Sequence, residues 1–139
     1  MGKIVYKKAE PLEKSKVLDL YKDAGWTAYT EKPEQLMKAL SKSLRVISAW
    51  DKDSLVGLIR VVGDEEIILY IQDILVLQAY KRHGIGTHLM KMAIEEFGSV
   101  RQKVLLTEDT WETRGFYESL GFKSCDDGRM VAFAKQDSS

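Results

Sequence analysis

The residues from Gln72 to Met90, QDILVLQAYKRHGIGTHLM, join an apolar run to an amphipathic one through a short basic turn with two glycines. Gly84 and Gly86 have no Cβ, so the backbone there can come close to a ligand and adopt conformations closed to other residues. A helix starting at this turn presents unpartnered N–H groups and the positive end of its dipole at the same place. Lys81, Arg82 and His83 crowd the mouth of the turn with cationic side chains. Strand, glycine turn and helix N-terminus together suit a pyrophosphate. The turn is not a P-loop, because no Gly-Lys-Ser/Thr follows a four-residue spacer. Nor is it a dinucleotide fingerprint, because Leu89 stands where the third glycine of G-x-G-x-x-G belongs.

The elements that must position this turn begin with the strand before it, about Ile67 to Leu77. It is too apolar to leave either face in water, which marks a central strand covered on both sides. Gln72 and Asp73 interrupt it. A buried carboxylate must find partners or change its protonation, so Asp73 has two readings. It hydrogen-bonds a neighbouring loop, or the strand opens there and shows polar groups to a ligand.

Taken together, these residues resemble the acetyl-CoA motif of the GNAT superfamily of N-acetyltransferases, Arg/Gln-x-x-Gly-x-Gly/Ala at a strand-to-helix turn. Here it reads Lys81-Arg82-His83-Gly84-Ile85-Gly86, with lysine departing from the arginine or glutamine preferred in first place. A second segment, Gly115-Phe116-Tyr117-Glu118-Ser119-Leu120-Gly121-Phe122, resembles the family's F-Y-x-x-L-G-F signature. The resemblance implies that the turn from Lys81 to Thr87 holds the pyrophosphate, mainly through backbone amides. It also implies that Leu75 and Val76 pair with pantetheine in sheet-like fashion. Thr110 stands where the family often has asparagine near the pantetheine arm. Tyr117 matches a tyrosine that in many members points at the CoA sulfur, which makes it the expected general acid. Phe116, Tyr117 and Leu120 also read as an ordinary apolar helix face.

The fold implied is α+β: a mostly antiparallel mixed sheet with helices on both faces and a splayed central strand pair, formed by the strand of Asp73 and Val104–Thr107. The reaction implied is direct transfer of an acetyl group to a primary amine in a ternary complex. Cys125 lies in no recognisable nucleophile setting. The amine must lose a proton, the oxyanion needs a preorganised donor, and the departing thiolate needs an acid. Family members with a side-chain base often carry it four or six residues before the position of Val76. Those positions hold Gln72 and Tyr70, neither a base at neutral pH. Asp73 is the nearest carboxylate, although simple alternation turns it away from the face shared by Tyr70 and Gln72 unless the strand has a bulge. Deprotonation is expected through ordered water, assisted by Asp73 or Glu31. The resemblance also places the acceptor pocket on the connector Trp26-Thr27-Ala28-Tyr29, flanked by Asp23 and Glu31. Aromatics beside carboxylates suit an amine cation, and they equally suit a loop anchored to the core.

Composition bounds the rest. The 139 residues suit a single domain spanning 1–139, with 45% hydrophobic and 30% charged residues and a formal net charge of zero. No global field favours nucleic acid or an anionic membrane. One cysteine, no secretory segment and no membrane-length apolar run point to the cytoplasm. His83 and His88 lack the partners of a metal site, and no metal is expected. Two other functions stay open: a catalytically idle acyl-CoA sensor, and a partner-binding module. Family members are often dimers, and the sequence leaves the oligomeric state open. Periodicity and turn residues predict strands at Lys3–Lys8, Leu44–Trp50, Leu55–Val62 and Val104–Thr107. They predict helices from Pro11 to Asp23, Pro33 to Ser41, Ile85 to Phe97 and Thr110 to Leu120. Asp109 and Glu112 are spaced as a capping box, Asp127-Gly128 as a hairpin turn, and the tail Gln136–Ser139 reads as frayed.

Overall fold

The apolar runs become strands, and the computed structural model, which describes residues 2–137, pairs five of them among those residues in one sheet. β1 (Ile4–Lys8), β2 (Arg45–Asp51), β3 (Ser54–Gly63) and β4 (Ile68–Val76) run antiparallel in that order, and β5 (Gln102–Leu105) lies parallel to β4. The helices are α1 (Lys14–Asp23), the single turn α2 (Thr27–Thr30), α3 (Pro33–Ser41), α4 (Ile85–Glu96) and α5 (Trp111–Ser119). The fold is thus the mixed α+β arrangement expected. The chain divides into two compact units, with the boundary between Leu105 and Leu106.

In the first unit, α1 and α3 press Val17, Leu20, Tyr21, Leu36 and Leu40 onto Trp50, Leu55, Leu58 and Leu75 of the sheet. α3 starts at Pro33, whose fixed φ and missing N–H suit a first helical position. The opposite face takes α4, which buries Ile85, Leu89, Met90 and Ala93. Gly57 of β3 makes room for it: a Cβ there would stand 3.2 Å from Ile85 Cγ2 and 3.4 Å from Leu89 Cδ1. That absence lets the first turn of α4, and the glycine turn ahead of it, sit close on the sheet.

Two features of β4 prepare a site. Arg60 pairs with Asp73, but Val61 pairs with Ile71, so Gln72 is an extra residue and the strand is bulged there. Directly opposed residues share a face, so the bulge puts Asp73 and Tyr70 on the same side of the sheet, with Arg60. The alternation expected from sequence is broken at the residues whose direction matters. The second feature is the β5 edge. β5 pairs with β4 only from Ile68 to Ile71, so from Gln72 to Val76 that edge of β4 has no strand partner among the described residues. β5 is paired over its whole length and ends at Leu105.

The β3–β4 turn is held by Asp64, whose Oδ1 accepts from the backbone N–H groups of Glu66, Ile67 and Ile68 at 2.8, 2.8 and 3.1 Å. These bonds hold its carboxyl below the usual carboxylate range. A lowered folded-state value stabilises the protein above the unfolded carboxylate's pKa, and that contribution is lost as pH falls through the folded one. Asp64→Asn should therefore lower Tm by a constant amount above about pH 5, with the gap closing below about pH 4. Thermal melts of both proteins from pH 3 to 8 check this.

In the second unit, α5 is capped by Thr110 and Thr113, whose side chains bond each other's backbone N–H reciprocally at 3.1 and 3.3 Å. The box thus falls one residue later than predicted, because Asp109 is drawn to Arg114 at 2.6 Å. The helix stops in a Schellman motif: Gly121 has φ 92°, its N–H reaches Glu118 O, and the Phe122 N–H reaches Tyr117 O. The hairpin predicted around Asp127-Gly128 does not form. Cys125–Asp127 is a short 3₁₀ turn, and no strand follows it among the described residues. Without strand pairing Met130, Val131 and Phe133 are exposed. Of the tail read as frayed, residues 138–139 lie outside the described residues.

Candidate active site

The glycine turn is built as its residue types demand. After β4, Gln78–Tyr80 forms a 3₁₀ turn, Arg82 takes φ 68° and Gly84 takes φ 80°. Gly84 then caps α4 in the left-handed region, without a side-chain hydrogen bond to the first helical amides. Those amides have no intrahelical partner by construction, so the helix offers a cluster of N–H donors and a positive dipole end. An anion with several oxygens fits this donor set. Lys81, Arg82, His83 and Gly84 are exposed, Gly86 and Thr87 half-buried, and Ile85 is buried as the turn's anchor. The turn is tied down at three points. The Gln78 N–H donates to Asp23 Oδ2 at 2.7 Å, the Leu77 N–H to Val56 O at 2.9 Å, and the Tyr80 hydroxyl to Asp51 Oδ2 at 2.6 Å. Leu75 and Val76 lie just upstream on the stretch of β4 that has no strand partner on its β5 side among the described residues. His88 stacks on Tyr6, ring centroids 4.0 Å apart.

Further along the same strand the polar residues converge. Asp73, 2% exposed, accepts from Arg60 Nε at 2.8 Å and the Tyr21 hydroxyl at 3.0 Å on Oδ2, and from the Tyr29 hydroxyl at 2.7 Å on Oδ1. Tyr29 also meets Gln72 Nε2 at 3.2 Å and Arg60 Nη2 at 3.5 Å. Its ring packs against Tyr21 at 5.2 Å and Trp26 at 6.0 Å. The connector is thus anchored to the core by its aromatics and to β4 by its hydroxyl. Burial, chiefly, and the bond to Asp73 raise the Tyr29 phenol above its usual range, so it stays neutral at physiological pH. Tyr21 is raised further, by burial first and then by the charge of Asp73. Burial pulls Arg60 down, but Asp73 and Tyr29 outweigh it and the guanidinium ends raised.

Among the residues expected from sequence, Tyr29, Gln72 and Asp73 meet directly, and Trp26 touches Tyr29. Tyr70 lies half-buried on the same face, and Glu31 is exposed at the end of α2. Thr110 and Tyr117 belong to the second unit. Thr110 is engaged in the α5 cap, and Tyr117 is half-buried with its ring against Phe116 and Phe122. Burial raises the Tyr117 phenol, and a hydrogen bond from Thr107 offsets part of that, so its proton is retained at neutral pH. Sequence reading missed Arg60 and Tyr21. Arg60 was discoverable as a lone charge inside an apolar strand, Leu55–Val62, which requires a buried counter-charge.

Comparison with known proteins adds a lineage to this geometry. The family model described as an acetyltransferase (GNAT) domain matches residues 10–133. A GNAT-family acetyltransferase from Streptococcus pneumoniae is 39% identical, with 96% of this chain and 100% of that one covered and a TM-score of 0.81. A probable acetyltransferase from methicillin-resistant Staphylococcus aureus is 23% identical, covering 95% and 100% of the two chains with a TM-score of 0.77. The PaiA N-acetyltransferase of Thermoplasma acidophilum, solved with coenzyme A, is 14% identical over 88% of this chain and 91% of its own, TM-score 0.73. The last two share the fold. No curated protein sequence matches the chain.

Proposed function

The chain belongs to the GNAT family of acetyltransferases, and on that premise we propose that it moves an acetyl group from acetyl-CoA directly to a primary amine in a ternary complex. The amine is a small molecule or a peptide amino group. The observation that carries this reading is the start of α4, which has no side-chain cap behind left-handed Gly84, beside the edge of β4 that lacks a strand partner among the described residues. Bound acetyl-CoA supplies the thioester-activated acetyl group. The turn from Lys81 to Thr87 would hold its pyrophosphate through backbone amides, and Leu75 and Val76 would hold its pantetheine arm. Trp26, Tyr29, Tyr70 and Gln72 line the acceptor side.

Asp73 holds three donors and so acts by positioning Tyr29 rather than by taking the amine's proton. That proton leaves through water, with exposed Glu31 as the carboxylate on the acceptor loop. Tyr117 donates to the departing thiolate, a role supported by its retained proton. Tyr117→Phe keeps the ring contact with Phe122 and should slow transfer about 100-fold, within the range for a general acid, at unchanged acetyl-CoA affinity. Steady-state rates paired with calorimetric affinities check this. Unchanged rate with lost affinity would make Tyr117 a structural residue.

The engagement of both Asp73 oxygens favours one competing reading, an acyl-CoA sensor without a base. Amine-dependent release of free CoA separates the two. We read the two units as parts of one domain, since the matched span crosses Leu105. We place the protein in the cytoplasm, on its single free cysteine and on the finding that no helix among the described residues is long and apolar enough to cross a membrane.

A further inference from the structure

Tyr29 stands among three polar groups whose donor and acceptor capacities admit one pattern of protons. An ionised carboxylate only accepts, so the Tyr29 hydroxyl, 2.7 Å from Asp73 Oδ1, donates to it. With its one proton committed, the Tyr29 oxygen can only accept. Arg60 Nη2 at 3.5 Å, a group that only donates, agrees with this. Gln72 approaches the same oxygen at 3.2 Å and must do so through its NH₂ group. Amide orientation is normally an assignment, but here the chain of donors determines it. The carbonyl Oε1, on the other arm of the planar amide, is therefore turned away from Tyr29. Gln72 is exposed and is the extra residue of the β4 bulge, at the point where β4 loses its pairing with β5.

We propose that Gln72 Oε1 recognises the acceptor by taking a hydrogen bond from an N–H of the amine, and that Arg60, Asp73 and Tyr29 are positioning residues that fix which end of the amide faces it. This rests on the acetyltransferase reading above and deepens it. The buried ion pair then has a purpose beyond the core. Arg60 pairs with the Asp73 carboxylate, Asp73 orients the Tyr29 proton, and the Tyr29 oxygen holds the Gln72 NH₂. Reversing one link reverses the end: with Asp73→Asn, a side-chain NH₂ can donate to Tyr29, whose hydroxyl can then donate to Gln72 Oε1. The Gln72 NH₂ would face the amine, donor against donor.

The test uses ¹⁵N-glutamine-labelled protein saturated with CoA and follows the Gln72 side-chain NH₂ resonances by NMR. Propylammonium is titrated in, and tetramethylammonium, with the same charge and no N–H, is the control. Wild type should show a saturable Gln72 shift with propylammonium and none with tetramethylammonium. Tyr29→Phe should weaken propylammonium binding about tenfold, the effect of one charge-assisted hydrogen bond, at unchanged CoA affinity. Tyr21→Phe, which removes an Asp73 contact but leaves Tyr29 and Gln72 in place, should bind as wild type does. Gln72 resonances that do not move, equal response to both cations, or unaltered binding in Tyr29→Phe would overturn the inference. CoA binding with any of these results sinks this inference alone, whereas failure to bind CoA or acetyl-CoA sinks the acetyltransferase reading itself.

Discussion

Replacing Asp73 with alanine is expected to destabilise the protein by about 3–5 kcal/mol, because it strands a buried guanidinium without its counter-charge. Arg60 is 7% exposed, so its charge is left in the interior when Asp73 is removed. The same change leaves the buried Tyr21 hydroxyl without its acceptor and frees Tyr29 from β4. In a domain whose whole stability is of order 5–15 kcal/mol, that is a large share. The loss comes from the orphaned partner rather than from the strength of the pair. Asp73→Leu combined with Arg60→Met should therefore recover most of it, since apolar replacement of both ions is often neutral. Urea unfolding of the wild type, both single variants and the double variant measures the cycle. Single-variant losses under about 1 kcal/mol would mean that the pair is solvated, as surface pairs are. The recovered double variant should still lose acceptor recognition, which separates holding the fold from orienting Gln72.

Gly86→Asp should weaken acetyl-CoA binding by up to about 30-fold at little cost in stability. Gly86 sits in the first turn of α4 and, unlike Gly84, is not at positive φ, so a side chain there does not strain the backbone. An aspartate in the first turn even suits the helix dipole. The new carboxylate competes for the amides that would bind pyrophosphate and repels its charge, worth up to about 2 kcal/mol where the site is partly buried. Gly84→Ala is a poorer probe, since φ 80° penalises any Cβ and mixes strain with binding. Calorimetry gives the affinities and thermal melts the stabilities. A variant that binds as tightly as the wild type would remove the turn from the cofactor site.

The site was unevenly legible in the sequence, for physical reasons. The turn could be read because its signals are local: two glycines, three basic residues and an amphipathic helix within a few positions. α3 was placed at Pro33–Ser41 because proline marks a first helical residue and the apolar spacing carries the rest. Asp73 was recognised as anomalous, but its partners lie 13, 44 and 52 residues away, where only pairing register can bring them. The bulge at Gln72 decides which face Asp73 takes, and a bulge depends on both strands at once. Tyr21 falls inside the helix predicted from Pro11 to Asp23, but its ring is in the core and only its hydroxyl reaches Asp73. The F-Y-x-x-L-G-F signature reads more fully in three dimensions. Gly121 in the left-handed region ends α5 and lays Phe122 against Tyr117, ring centroids 6.0 Å apart. The Asp127-Gly128 hairpin failed as an expectation because flanking β-like residues do not form strands without a paired edge.

Acetyl transfer by this protein stands or falls on whether it holds the donor, which calorimetric titration of acetyl-CoA into the wild type decides. Saturable binding is expected, with a dissociation constant in the micromolar range, about −8 kcal/mol, from the α4 amides and the open edge of β4. Absence of binding up to about millimolar acetyl-CoA, weaker than about −4 kcal/mol, would overturn the acetyl-transfer reading by leaving it without its donor.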